Sequence, residues 1–165
     1  MKASTAVTVT ISDLRDAHLG PRFGRLDLMC QLAVLAVERL GIHFDEFDRA
    51  RIAMCLVARQ GSLSTDVEYW KGRDAIGGPS PTLFAYTLPS AAAGEIAIRY
   101  RLMGSNVCFV GDESMAVKEG TELLKVGEAD ACLCVWCDVL ADTAPELLSL
   151  PSAARASAVF LHNES

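Results

Sequence analysis

Along this chain of 165 residues the apolar positions alternate, then cycle with a helical period, then alternate again. Residues 6–12 (AVTVTIS) put an apolar side chain at nearly every second position and are rich in β-branched residues, the signature of a pleated strand. From residue 26 to residue 40 the period becomes helical. Asp27, Gln31 and Glu38 lie on one narrow polar stripe, apolar side chains fill almost everything else, and Gly41 ends the helix. Residues 51–58 (RIAMCLVA) are a short apolar run, read as a largely buried second strand. The chain then turns polar and rich in Gly, Ser and Pro from residue 60 to residue 81, predicting a long irregular excursion that Tyr69 and Trp70 pin to the body.

A helix is predicted to start near Pro89, which a first turn tolerates. Ser90, Ala91, Ala92, Ala93, Gly94 and Ala97 give it low bulk, and Glu95 and Arg99 are spaced as an i, i+4 pair. Residues 106–110 (NVCFV) read as a third strand, 113–126 as a third helix, 131–139 as a fourth strand, 142–151 as a polar connection and 156–161 (ASAVFL) as a fifth strand. This alternation predicts one α/β domain over residues 1–165, a mainly parallel sheet with helices on both faces.

Composition changes the picture in three ways. An apolar content of 51% with 22% charged residues is that of a globular chain, not a disordered one. A net charge of −6 argues against nucleic acid or an anionic membrane as the main partner. No apolar run has the length of a bilayer span and the N-terminal residues lack a signal-peptide core, so a cytoplasmic protein is expected. The six cysteines fall in helical and strand-like apolar runs, which predicts buried reduced thiols. Cys132, Cys134 and Cys137 form Cys-x-Cys-x-x-Cys, but on a strand the first two point to one face and the third to the other. Without a fourth ligand at a fitting spacing, no metal site is expected, and no cofactor.

Residues 80–130 carry an ordered set of landmarks: Ser80-Pro81, a small-residue helix, Leu102 with Gly104, a short apolar strand, a turn, a helix, and Gly127-x-Ala129-Asp130. In this order they resemble the region around the active site of the β-ketoacyl synthases. The likeness extends over nearly all of the chain, with Arg25 and Asp27 opening a helix like the family's first. It implies the N-terminal half of a thiolase-like fold: a three-layer, five-stranded, mostly parallel sheet in the order 3-2-1-4-5, with its last strand antiparallel. By the family's spacing, the nucleophile falls at Glu113 counting forward from Gly104, and at Val110 counting back from Gly127. The turn looks about three residues short, and no cysteine occupies either position. The two catalytic histidines of complete synthases come from a second copy of the half-fold, and His18, His43 and His162 match neither of them.

The nucleophile-turn positions are therefore Val110, Gly111, Asp112, Glu113 and Ser114. Ser114 is the one hydroxyl there. As a nucleophile it needs a base, and Ala116 breaks the Gly-x-Ser-x-Gly pattern, so a capping role for Asp112 or Ser114 is the simpler expectation. Gly77-Gly78-Pro79 lacks the lysine of a phosphate loop and reads as a turn. Arg99 and Arg101 are candidates for contact with an acyl carrier or ligand, against the alternative of solvated helix residues. Lys118, Glu119, Glu122 and Lys125 fall on one side of the third helix and Ala116, Val117, Gly120, Leu123 and Leu124 on the other. That split predicts a helix with one wet face, suited to a half-fold without a covalently attached second half.

Together these features imply a catalytically inactive synthase-like half-domain serving as a structural or interaction subunit in fatty-acid or polyketide biosynthesis, by analogy with the chain-length factors that partner active synthases. The partner expected is a second copy, joined through an edge strand of Asn106, Val107, Cys108, Phe109 and Val110, or a full-length ketosynthase or acyl carrier protein. Two other readings stay open: a small acyl-transfer or acyl-binding protein using Ser114, and a regulatory module for an unrelated small ligand.

Overall fold

In the computed structural model, which describes residues 1–74, 76–139 and 154–163, the apolar runs join one mixed sheet of six strands. These are β1 (Lys2–Ala3), β2 (Val7–Thr10), β3 (Ile52–Ala58), β4 (Asn106–Val110), β5 (Ala131–Asp138) and β6 (Arg155–His162). They lie in the order β1-β6-β5-β3-β4, with β2 also paired to β6. β3 runs parallel to β4 and β5, while β6 is antiparallel to β5 and to β1 and β2.

Helices on both faces and an antiparallel last strand agree with expectation; the five-stranded, mostly parallel sheet and its strand order do not, since six strands join and three of the five pairings are antiparallel. The first strand was expected at the centre, in the order 3-2-1-4-5, yet β1 and β2 form the rim beyond the last strand. The reason is in the side chains. Every residue of β3 and β5 is buried, as a central strand requires, whereas β2 exposes Thr8 and Thr10 and buries only Val9. An alternating strand with one wet face belongs at a margin. The strand is also shorter than residues 6–12, because the chain turns into α1 (Ile11–Leu14), where the Asp13 carboxylate accepts from the Thr10 N–H at 2.8 Å.

α2 (Leu28–Leu40) starts two residues later than the pattern suggested. Asp27 caps it, accepting from Cys30 N–H at 2.9 Å, and Gly41 closes it with φ of 63°. α2 and α5 (Ser90–Tyr100) cover the face carrying Met54, Leu56, Leu133 and Val135. α6 (Glu113–Lys125) covers the opposite face over Cys55, Val57, Cys132, Cys134 and Trp136. Gly120 lets α6 lie close: a Cβ there would stand 2.4 Å from the Cys134 sulfur and 3.0 Å from that of Cys132. Cys137 faces the α2 side, so the Cys-x-Cys-x-x-Cys thiols do divide between the two faces.

The excursion after β3 is not irregular. It contains α3 (Leu63–Lys71) and α4 (Pro81–Phe84). Leu63, Val67 and Trp70 have helical spacing that the polar composition conceals. Thr65 is buried and donates to Asp27 at 2.7 Å, and Ser62 donates to the Thr87 carbonyl at 2.7 Å. These polar bonds hold the excursion, not the two aromatics together. Tyr69 packs on Phe84 with ring centroids 5.5 Å apart, but Trp70 remains 64% exposed. The expected Glu95–Arg99 pair is also absent: Glu95 bonds Arg22 at 3.0 Å, and Arg99 reaches Glu38 on α2. The predicted connection at residues 142–151 lies outside the described residues. Among the described residues no helix is long and apolar enough to cross a membrane.

α6 has the two faces its sequence implies, with one exception. Lys118, Glu122 and Lys125 are exposed and Ala116, Gly120 and Leu124 buried, but Val117 is also exposed. Alanine at Lys118, Glu122 or Lys125 should move unfolding free energy by no more than about 0.5 kcal/mol. Leu124→Ala should cost about 2 to 5 kcal/mol in a denaturant melt, as a core truncation. The reverse ranking would show the faces to be misassigned.

Candidate functional site

The carboxyl ends of β3, β4 and β5 meet at one edge of the sheet, the usual location of a site in an open α/β fold. Val110 ends β4, Gly111 donates its N–H to the Ala58 carbonyl at 3.2 Å, and Asp112 occupies the N-cap of α6 with extended backbone. Both positions to which family spacing assigns the nucleophile, Val110 and Glu113, thus flank one strand-to-helix turn. Gly61, with φ of 62°, adjoins this turn: its Cβ would meet Pro89 at 3.3 Å and Val110 at 3.6 Å.

The turn holds no assembled nucleophile. Ser114 is exposed, and among the described residues its hydroxyl has no hydrogen-bond partner. Neither Asp112 nor Ser114 caps α6 through its side chain, contrary to expectation. His162 pairs with Ala131 at the start of β5, the sheet edge opposite the turn, and His43 shares a cleft with it there. Five of the six thiols are raised above the ordinary cysteine range. Burial pushes the Cys55 thiol up to about 12 and also raises Cys30, Cys108 and Cys137. Cys134 is raised first by its contact with the Cys132 sulfur, 3.8 Å away, and then by burial. Among the described residues no group of three His, Cys, Asp or Glu side chains is placed to hold a metal ion.

Three residues that the sequence did not single out stand at or beside this edge. Asp138 ends β5 buried, accepting from Arg59 at 3.3 Å through Oδ2, while its Oδ1 has no partner. Gln60 Oε1 and the indole Nε1 of Trp136 are likewise buried without a hydrogen bond. Arg155, opposite Asp138 on β6, lays its guanidinium 4.8 Å from the Trp136 ring centroid. The one cue available in the sequence is that Arg59, Gln60 and Asp138 are the polar residues with which two buried strands end.

Arg99 and Arg101 are not part of this edge, since they close α5 just before β4 begins. Arg99 is committed to the Leu19 carbonyl at 3.0 Å and to Glu38. Arg101 has the left-handed backbone of a helix cap, φ 55°, and donates its N–H to the Ala97 carbonyl, while among the described residues its side chain makes no hydrogen bond or ion pair. Among the described residues β4 is hydrogen-bonded on one side only and lies at the end of the sheet.

No protein-family model matches the sequence, and no curated protein matches it. Solved structures do match in fold. The acyl-carrier–ketosynthase complex AntDE:AntF of a type II polyketide synthase superposes with a TM-score of 0.79 at 16% identity, covering 98% of this chain and 62% of that one. The ketosynthase ApeO in complex with its chain length factor ApeC, from Xenorhabdus doucetiae, gives 0.75 at 15% identity, covering 99% and 79%. The ishigamide ketosynthase/chain length factor gives 0.73 at 20% identity, covering 89% of this chain and 47% of that chain, so this sequence spans about half its length. In fold, the chain is a ketosynthase-like half-domain.

Proposed function

We propose that this chain is a non-catalytic, chain-length-factor-like subunit that assembles with a ketosynthase-type partner in polyketide or fatty-acid biosynthesis. The observation that carries the reading is the strand-to-helix turn at Val110–Ser114: it holds no thiol, and among the described residues the Ser114 hydroxyl has no hydrogen-bond partner. A scaffold without a nucleophile serves by shape and by binding. The fold likeness to ketosynthases in complex with a chain length factor or an acyl carrier supports partners of that kind. The surface supports it too. On the α6 side of the sheet, Thr8 and Ser157 share a hydroxyl hydrogen bond of 3.0 Å, and the outer face of α6 carries Lys118, Glu122 and Lys125. Such a layer suits water better than burial beneath a second apolar half-fold.

The purified chain is expected neither to condense nor to decarboxylate malonyl thioesters, and to form a defined complex when co-expressed with a ketosynthase encoded beside it. Size-exclusion chromatography with light scattering reads the complex; release of carbon dioxide from a malonyl carrier reads the activity. Steady turnover by the chain alone, abolished by Ser114→Ala, would overturn the reading in favour of an acyl-transfer enzyme.

A further inference from the structure

Where the excursion after β3 docks on the start of α2, an open cleft of about 390 Å³ lies between α2, α3 and α4. Its size falls within the range of small-molecule sites, about 300 to 1,000 Å³. The space exists because the hydroxyl residues on its walls, Ser64 and Thr65 of α3 and Thr82 of α4, have short side chains. Asp27 is already committed there, one carboxylate oxygen accepting from the Cys30 N–H at 2.9 Å and the other from the Thr65 hydroxyl at 2.7 Å. Arg25 and Glu68 are not. Both line the cleft and both are exposed, and among the described residues neither side chain makes a hydrogen bond or an ion pair, with the other or with any third group. The hydroxyls of Ser64, Thr82 and Tyr86 are also without partners among the described residues.

We infer that this cleft binds a free α-amino acid in its zwitterionic form, Arg25 taking the carboxylate and Glu68 the ammonium. The charges decide the class. A simple anion drawn to Arg25 meets the Glu68 carboxylate in the same cleft, and a simple cation drawn to Glu68 meets the guanidinium. Only a ligand that carries both signs is favoured by both groups. A neutral polyol suits the hydroxyls but leaves both charges without a counter-ion. The guanidinium fork holds a carboxylate through two parallel hydrogen bonds, and an ammonium brings three donors, more than Glu68 alone consumes, which gives the free hydroxyls of the cleft a use as acceptors. Leu28 and Leu83, also on the wall, favour an aliphatic side chain on the ligand. The inference is independent of the proposed partner, since it uses no residue of β4 or of the strand-to-helix turn.

The test is an NMR titration of the ¹⁵N-labelled chain with L-leucine, following the backbone amides of Ser64, Thr65, Glu68 and Thr82. Saturable movement of these signals is expected. Two analogues each lack one charge: 4-methylpentanoate has no ammonium and 3-methylbutylamine no carboxylate, and each should bind at least tenfold more weakly than leucine. Glucose should leave the signals in place. Arg25→Gln and Glu68→Gln should each weaken leucine binding at least tenfold, and each should erase one preference. Arg25→Gln should bind leucine no better than 3-methylbutylamine, and Glu68→Gln no better than 4-methylpentanoate. Both side chains are exposed and make no bond to the rest of the fold, so circular dichroism should be unchanged in either variant. A response to leucine that is absent, never saturates, is matched by glucose or by either analogue, or survives both substitutions overturns the inference.

Discussion

Gly104→Ala is expected to destabilise the protein by at least about 3 kcal/mol, or to prevent it from folding, although it adds a single methyl group. Gly104 lies in the turn that carries the chain from α5 into β4. A Cβ built there stands 2.2 Å from the Ile52 carbonyl oxygen, 2.6 Å from its carbon and 3.1 Å from the Ala53 nitrogen. All three atoms are backbone at the start of β3, so no flexible side chain can yield. Relief requires moving the turn away from β3, which breaks the bonds that set the β3–β4 register at this end: Met103 N–H to the Arg49 carbonyl at 2.9 Å and Met54 N–H to the Ser105 carbonyl at 2.8 Å. Two other glycines serve as internal controls. Gly94→Ala, in α5 with no atom within 4 Å of the new Cβ, should be neutral or stabilising by up to about 1 kcal/mol. Gly127→Ala meets open space too, but at φ of 73° it should cost about 1 to 2 kcal/mol in backbone strain. Urea denaturation of the three variants ranks them directly. If Gly104→Ala is as mild as Gly94→Ala, the turn does not rest on β3.

The same glycine shows how much of the molecule is legible in the chain. Leu102 and Gly104 are landmarks of the ketosynthase resemblance, and the physical reason for the glycine is the close approach to Ile52, which no local pattern reveals. The central strands were legible because both of their faces are buried and their sequences are apolar throughout. The place of the first strand was legible as well, in Thr8 and Thr10, whose alternation suits a margin and not the centre that the family order implies. α3 was hidden because polar, Ser-rich composition reads as loop unless its spacing is tested for a helix. At the candidate site the turn itself, Val110 to Ser114, was legible only through the family resemblance and the spacing it implies from Gly104 and Gly127. The unpartnered groups of Gln60, Trp136 and Asp138 were not, since being without a partner is a property of the tertiary arrangement.

A substitution with a larger effect on assembly than on folding is Cys108→Pro. It is expected to convert a two-fold dimer into folded monomers. β4 lies at the sheet's end and carries no charged residue and no proline to discourage pairing. Its parallel ladder with β3 uses alternate residues: Ser105 accepts from Met54, and Gly111 donates to Ala58. Between those bonds the period of two leaves the N–H and C=O of Asn106, Cys108 and Val110 directed to the free side. The centre of that free row is Cys108. An antiparallel copy placed across a two-fold axis at this residue satisfies the row and extends the sheet through both subunits. Val110, 62% exposed, and Met103, 70% exposed, lie at and just beyond the two ends of β4 and would gain cover. Proline at position 108 removes one outward donor and leaves the bonds to β3 intact, the setting in which an edge strand tolerates it. Lysine at Val107 or Phe109 is a poorer test, because those side chains pack under α6 and their replacement would also attack the core. Light scattering at micromolar concentration should give a dimeric mass for the unmodified protein and a monomeric one for Cys108→Pro, with unchanged circular dichroism. A monomer before substitution would refute the homodimer and leave a partner of the same fold, such as a ketosynthase, as the molecule that covers this edge.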